Sequence, residues 1–216
     1  TGIEYTTRNW VCASLRETYA DLMNCTTDAD FILTGEGVVA ARLVAEKLGI
    51  RWALCVLQPA SFLSAYDLSV IPTFPLLSKL RGFGSIVNRG VVNLAKIVSK
   101  SWAKPIHQLR NEIGLPPLVG NPFIDDKHSP YLTLALFSSV LAQPQPDWAA
   151  NTVITGFTLY DGSQGRTELT PELKQFLDAG TPPIVFTLGS AAVMTPSSFY
   201  QESIQAAKLL NRRAVL

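Results

Sequence analysis

The chain has little with which to build a disulfide, a metal site or a membrane span. Its three cysteines, Cys12, Cys25 and Cys55, are odd in number and far apart, which argues against a cystine framework or a thiolate zinc site and predicts a reducing, cytoplasmic compartment. Only two histidines occur, His107 and His128, and neither has a second ligand at i+3 or i+4, so no metal is expected. Both read as ordinary exposed histidines. No apolar run reaches the roughly 20 residues that cross a bilayer, and the first residues lack a basic-then-apolar secretion signal. A Gly-x-Ser-x-Gly elbow is absent, which disfavours an α/β-hydrolase. Acidic residues are missing from Leu68 to Asn111, a stretch that holds Lys79, Arg81, Arg89, Lys96, Lys100, Lys104 and Arg110. The rest of the chain, with eleven basic and seventeen acidic residues, carries a net charge of −6.

What is present suits a globular α/β protein. A hydrophobic share of 47% over 216 residues supplies a sizeable core. Asn9 to Asn24 has amphipathic helical spacing, with Trp10, Leu15, Tyr19, Leu22 and Met23 available for one apolar side. Asp30 to Thr34 reads as a strand, Gly37 to Leu48 as a helix closed by a left-handed cap at Gly49, and Trp52 to Leu57 as a second strand ended by Gln58-Pro59. A strand, helix and strand with short joins form a βαβ unit, which implies a parallel sheet. From Ala60 to Gly84, prolines and glycines without periodicity predict a long mobile loop. Beyond it, Val87, Val91, Leu94, Val98 and Trp102 follow one helical stripe, with Arg89, Lys96, Lys100 and Lys104 opposite. Pro105 breaks or restarts that helix, and Gly114-Leu115-Pro116-Pro117 ends its continuation.

Later elements follow the same logic. Tyr131 to Ser138 and Thr152 to Thr155 read as strands, and Tyr160 to Arg166 as a flexible connection. Thr170-Pro171-Glu172 is a helix start, with the threonine as N-cap and proline at the first helical position. Ile184 to Leu188, stopped by Gly189-Ser190, has the apolar continuity of a buried parallel strand, and Pro196 to Asn211 follows it as a helix.

Single motifs here are weak. Gly35-x-Gly37-x-x-Ala40 fits the outline of a dinucleotide-binding turn, but the next strand ends in Gln58 where an acidic residue holds the ribose. Glu36 stands at the carboxyl end of a strand, where open α/β sheets place their clefts; the alternative is a solvated turn residue. Asp125 and Asp126 are neighbours whose side chains diverge, as in a solvated loop. The cationic helix reads as a solvated face or as a contact with an anionic membrane surface through Arg89, Lys96, Lys100 and Lys104. Nucleic acid is disfavoured, because the cationic face itself carries no interleaved aromatics and no known reading motif is present.

Ordered agreement across the chain is more specific. Asp30 to Ile50 with its Leu-Gly-Ile ending, Gln58-Pro59, Leu109-Arg110-Asn111-Glu112-Ile113-Gly114-Leu115-Pro116-Pro117, Leu136 to Ser139, Pro144-Gln145-Pro146-Asp147-Trp148, Val153 to Phe157 and Pro182 to Ala192 come in one order and spacing. Together they resemble GT-B glycosyltransferases of the sterol and antibiotic glucosyltransferase kind. The resemblance implies a Rossmann-like parallel sheet with flanking helices, divided as an acceptor-binding domain over 1–165, a linker over 166–181 and the first strand and helix of a nucleotide-sugar-binding domain over 182–216. It implies inverting transfer of a sugar, expected to be glucose, from a nucleotide-diphosphate donor to a hydroxyl of a lipophilic acceptor such as a sterol or natural product, without a cofactor. Gly189 and Ser190 would approach the donor diphosphate, Gln58 and Pro59 would border the acceptor, and Glu36 would be a candidate for the catalytic carboxylate that partners the family's base, a histidine in a Gly-His pair. The family's Gly-His pair is missing, as is its downstream His-x-Gly-Gly stretch, so the residues given are expected not to transfer sugar alone. The alternative is a non-catalytic α/β binding module for an apolar small molecule.

Overall fold

The computed structural model describes residues 2–70, 79–160, 162, 168–190 and 192–216. The chain divides into two compact units, Thr1–Leu159 and Tyr160–Leu216.

The first unit is wound around a four-stranded parallel sheet of β1 (Phe31–Gly35), β2 (Arg51–Val56), β3 (Leu132–Ala135) and β4 (Thr152–Ile154), in the spatial order β1-β2-β3-β4. Its helices are α1 (Gly2–Thr6), α2 (Leu15–Cys25), α3 (Val39–Leu48), α4 (Ser85–Ser99) and α5 (Lys104–Glu112). The expected βαβ unit is β1-α3-β2. It closes as anticipated, with Gly49 at φ 71° in the left-handed region and its N–H bonded to the Ala45 carbonyl.

A strand order that always advances in one direction, joined by right-handed crossovers, carries its connections to one face of the sheet. The core follows that rule. Ile32, Trp52, Leu54, Val56 and Ala135 alternate onto one face and are buried against Ala41, Val44 and Ala45 of α3 and against Phe62 and Phe137. Removal of each large side chain from water contributes about 1.5–3 kcal/mol. A second cluster joins Leu15 of α2, Ala40 and Leu43 of α3, and Ile106 and Leu109 of α5. The opposite face gives no residue to either cluster, and there Phe31, Leu33 and Val153 are exposed.

Several expectations require correction. The first amphipathic helix does not run from Asn9 to Asn24: a turn of π-helix at Thr7–Val11 precedes α2, and Trp10 is exposed rather than packed. Of the stripe expected on α4, Val91 is buried while Val87, Leu94 and Val98 face solvent, and Asn88 and Ser99 are buried beside Val91. Hydrogen bonds make that polar burial possible. Asn88 Nδ2 donates to the Ala65 carbonyl at 3.0 Å, Ser99 Oγ to the Ala95 carbonyl at 2.7 Å, and Asn121 Nδ2 to Ser99 Oγ at 2.8 Å. Pro105 restarts helical structure as expected: a 3-10 turn over Lys100–Ala103 leads into α5, with the proline in its first turn. Of the long loop, Pro59–Phe62 and Lys79–Phe83 form 3-10 turns, and residues 71–78 lie outside the described residues. The connection expected over 160–166 lies largely outside them too.

The second unit contains α6 (Pro171–Asp178), β5 (Ile184–Val185), α7 (Phe199–Leu209) and β6 (Ala214–Val215), with β5 and β6 paired in parallel. Helix α6 starts as expected, with Thr170 Oγ1 accepting from the Leu173 N–H at 3.3 Å. It falls within the stretch read as linker. Strand β5 is shorter than the run Ile184 to Leu188, although the Phe186 N–H extends the pairing to the Val215 carbonyl at 2.9 Å. The guanidinium of Arg213 lies 4.2 Å from the centroid of the Phe176 ring, tying α6 to the segment that enters β6.

A candidate cleft at the carboxyl end of the sheet

Glu36 sits where β1 ends, in the turn that leads to α3. Its side chain is tied on both oxygens. Ser61 Oγ donates to Oε2 at 2.6 Å, and Lys127 Nζ lies 3.1 Å from Oε1. Lys127 also donates to the Ser61 carbonyl, so carboxylate, hydroxyl and ammonium form one closed cluster from three distant segments. The Lys127 side chain is only 14% exposed, which gives this pair more weight than a surface contact. Glu36 is thus a paired turn residue whose side chain keeps 28% exposure.

Gln58 and Pro59 build the turn that delivers Ser61. Gln58 is extended (φ −150°, ψ 144°) and caps the 3-10 turn that Pro59 begins, its carbonyl accepting from the Ser61 N–H at 3.2 Å. The turn then passes through Leu63 at φ 49°, an uncommon conformation for a branched side chain. It is anchored downstream by Asp147, whose carboxylate accepts from Ser64 Oγ at 2.6 Å and from the Ala65 N–H at 2.7 Å.

Beside Glu36 opens a cleft of about 110 Å³ between the sheet, α3, α5 and the loop before β3. Glu36, Arg42 and Lys127 supply its charges, and Val38, Leu54, Ile106, Leu118 and Phe123 are among its apolar walls. Complete small-molecule sites hold roughly 300–1,000 Å³, so this volume accommodates a ring or a short chain rather than a whole lipophilic ligand. Neither Gly35 nor Gly37 has a positive φ, so backbone conformation does not require glycine at either position. That observation adds to the missing acid at Gln58 against a dinucleotide site.

His128 is not the exposed histidine its sequence context suggests. It stacks on Phe62 with centroids 5.2 Å apart and planes at 10°, and Phe62 stacks in turn on Trp148 at 4.0 Å and 13°. Phe137 meets Phe62 and Trp148 edge-on. Burial, with a smaller contribution from the Lys127 ammonium, pushes the His128 pKa down to about 4. A neutral imidazole next to Lys127 was not legible from the sequence. The one available signal was the aromatic content of Phe62, Phe137 and Trp148, which lie far apart along the chain.

The remaining predicted residues separate. Asp125 and Asp126 are not simply solvated: Asp126 Oδ2 accepts from the Gly120 N–H at 2.7 Å, and Asp125 Oδ1 pairs with Lys96 at 2.6 Å. Arg110, the last basic residue of the acid-free stretch, is 2% exposed, pairs with Glu46 at 2.6 Å and donates twice to the Pro116 carbonyl. Gly189 and Ser190 follow β5 in the second unit, where both are exposed and the Gly189 carbonyl accepts from the Ala192 N–H at 2.9 Å. A Cβ on Gly189 would meet open space. Among the described residues, no cluster of His, Cys, Asp and Glu could hold a metal ion, and no helix is long and apolar enough to cross a membrane.

No family model matches the chain. It is similar to glycosyltransferase GtfE of Amycolatopsis orientalis, with 29% identity over 83% of this chain and 42% of that protein. It is also similar to O-mycaminosyltylonolide 6-deoxyallosyltransferase of Streptomyces fradiae, at 33% identity over 51% of this chain and 26% of that one. UDP-sugar-dependent glycosyltransferase 52 of Dictyostelium discoideum matches at 27% over 72% of this chain and 10% of its own length. The chain thus spans less than half the length of these relatives. All three are named for glycosyl transfer, and this similarity, on a Rossmann-like α/β fold, supports a glycosyltransferase family for the chain.

Proposed function

We propose that the first unit is the acceptor-binding part of an inverting GT-B glycosyltransferase of the sterol and antibiotic kind, and that residues from 182 onward belong to its nucleotide-sugar-binding part. In this reading 166–181 links the two. The observation that carries it is a carboxylate held at the carboxyl end of a parallel strand, beside a cleft with mainly apolar walls. Sugar transfer needs the acceptor hydroxyl to lose its proton as its oxygen bonds to the anomeric carbon, while the sugar–phosphate bond breaks and the nucleotide diphosphate departs. Glu36 is the carboxylate this cleft offers for that proton. Ser61 fixes one of its oxygens, and Lys127 must give up the other when the acceptor enters. Gln58 and Pro59 shape the acceptor side through the turn that carries Ser61. Gly189 and Ser190 are proposed to approach the donor diphosphate, the serine hydroxyl bonding a phosphate oxygen. The sugar is glucose and the acceptor a sterol or similar lipophilic alcohol.

The binding-module reading draws support from the same cluster, because both Glu36 oxygens are already paired. The test is transfer of radiolabelled glucose from UDP-glucose to a panel of lipophilic alcohols by the full-length gene product, with Glu36→Gln beside the wild type. The enzymatic reading expects a glucoside and a loss of about 10²–10⁴ in kcat for the variant, the range of a missing general base. Binding of the alcohols with no transfer from UDP-glucose or any other UDP-sugar would leave the binding module standing.

A further inference from the structure

Helix α4 presents its apolar residues the wrong way for a helix that only covers a core. Ile86 is 85% exposed, Ile97 71% and Phe83, in the turn before the helix, 70%; Val87, Leu94 and Val98 are exposed as well. At 100° per residue the five helical side chains occupy an arc of about 120°, wide enough for a continuous apolar face. The face has different borders on its two sides. One is the buried seam of Val91 and Asn88. The other is a strip of exposed cations, Arg89 and Lys100, which Lys104 at the start of α5 extends. Lys96 is not part of the strip, because its ammonium is taken by Asp125. No acidic residue occurs from Leu68 to Asn111 to oppose these charges.

We infer that Phe83, Ile86, Leu94, Ile97 and Val98 form a wedge that enters the interface of an anionic phospholipid membrane, with Arg89, Lys100 and Lys104 lying against the headgroups. Large exposed apolar patches mark contact surfaces. The charge decides among the occupants: an apolar face edged by Lys and Arg is complementary to a bilayer with a negative surface, whose acyl boundary takes the apolar arc. A second copy of this chain would set like charges against one another. The inference stands on the exposed helix alone, and a lipophilic acceptor would be reached from such a surface.

Flotation of the protein with vesicles of phosphatidylcholine, alone or with phosphatidylserine, tests it. Binding to the anionic vesicles is expected to exceed that to the neutral ones, and to weaken as salt is raised. Neutralising Arg89, Lys100 and Lys104 together should lower the partition coefficient about 100-fold, at roughly fivefold per charge. The double variant Ile86→Asn, Ile97→Asn, at two exposed positions whose change spares the core, should lower it at least tenfold with an unchanged circular dichroism spectrum. Equal binding to neutral and anionic vesicles overturns the inference. So does a dimer in sedimentation velocity that the double variant abolishes while vesicle binding is nil. Glucosyl transfer can fail in either case without bearing on this result.

Discussion

Protonation of His128 should make the first unit lose stability in mild acid, and the size of the loss follows from its surroundings. Stacked on Phe62 and beside Lys127, the imidazole has a pKa of about 4 in the folded chain, against 6.5 for an ordinary histidine. Between those values the unfolded chain binds a proton that the folded chain refuses. Stability is therefore intact above pH 6.5, falls as pH drops through the window, and stops falling below 4 on this account. Linkage gives a loss of about 2 kcal/mol between pH 7 and pH 5, and about 3 kcal/mol across the whole window. With a urea m-value of about 2 kcal/mol/M, the midpoint should move down by about 1 M between pH 7 and pH 5. The matched variant is His128→Phe, which keeps a ring on Phe62 and removes the proton site. Its midpoint should shift less than that of the wild type by this same amount, whatever other groups titrate. Equal shifts in the two proteins, or an NMR titration of the His128 ring centred near 6.5, would refute the reasoning.

Three further outcomes follow from the same contacts. Arg110→Ala leaves the Glu46 carboxylate and the Pro116 carbonyl without their buried partner, and should cost about 3 kcal/mol in urea titration, at the lower end for a broken buried pair because Glu46 keeps Arg42. Gly49→Ala forces a side chain into the left-handed cap at φ 71° and should cost about 1–2 kcal/mol, seen as a lower Tm with an unchanged circular dichroism spectrum. Ser129→Ala removes the 2.5 Å bond to the Trp52 carbonyl in the core and should cost about 1–3 kcal/mol; a neutral result would mean that water reaches that carbonyl.

Elements made by short-range pattern were legible in the sequence. The β1-α3-β2 unit, its Gly49 cap and the Thr170 N-cap each depend on residues within a few positions, so spacing alone finds them. That a cleft opens at the carboxyl end of β1 was legible for the same reason, since strand direction decides where an α/β cleft lies. Its contents were not: Lys127 reaches Glu36 across 91 positions, and Ser61 across 25. The exposed reading of His128 fails because its partner Phe62 lies far along the chain, and the burial of Arg110 against Glu46 was not legible for the same reason. The reversed face of α4 has a related cause. Helical periodicity identifies an apolar stripe but does not say how much of it meets the core, and here Asn88 and Ser99, bonded to the Ala65 carbonyl and to Asn121, share the inner side with Val91.

The one-way strand order also sets a timetable for synthesis. Each strand is laid beside the one made just before it, so no sheet neighbour waits for a distant, later segment except across the gap between β2 and β3. That gap, Leu57 to Tyr131, is 75 residues long. At about 5–20 residues per second, a ribosome needs roughly 4–15 s to deliver it. Throughout that interval Trp52 to Val56, an apolar strand without a charge, has one unpaired edge. The nascent chain is most exposed to mispairing then, and a chaperone that binds extended apolar segments would find its substrate in β2 before Leu132 has been made.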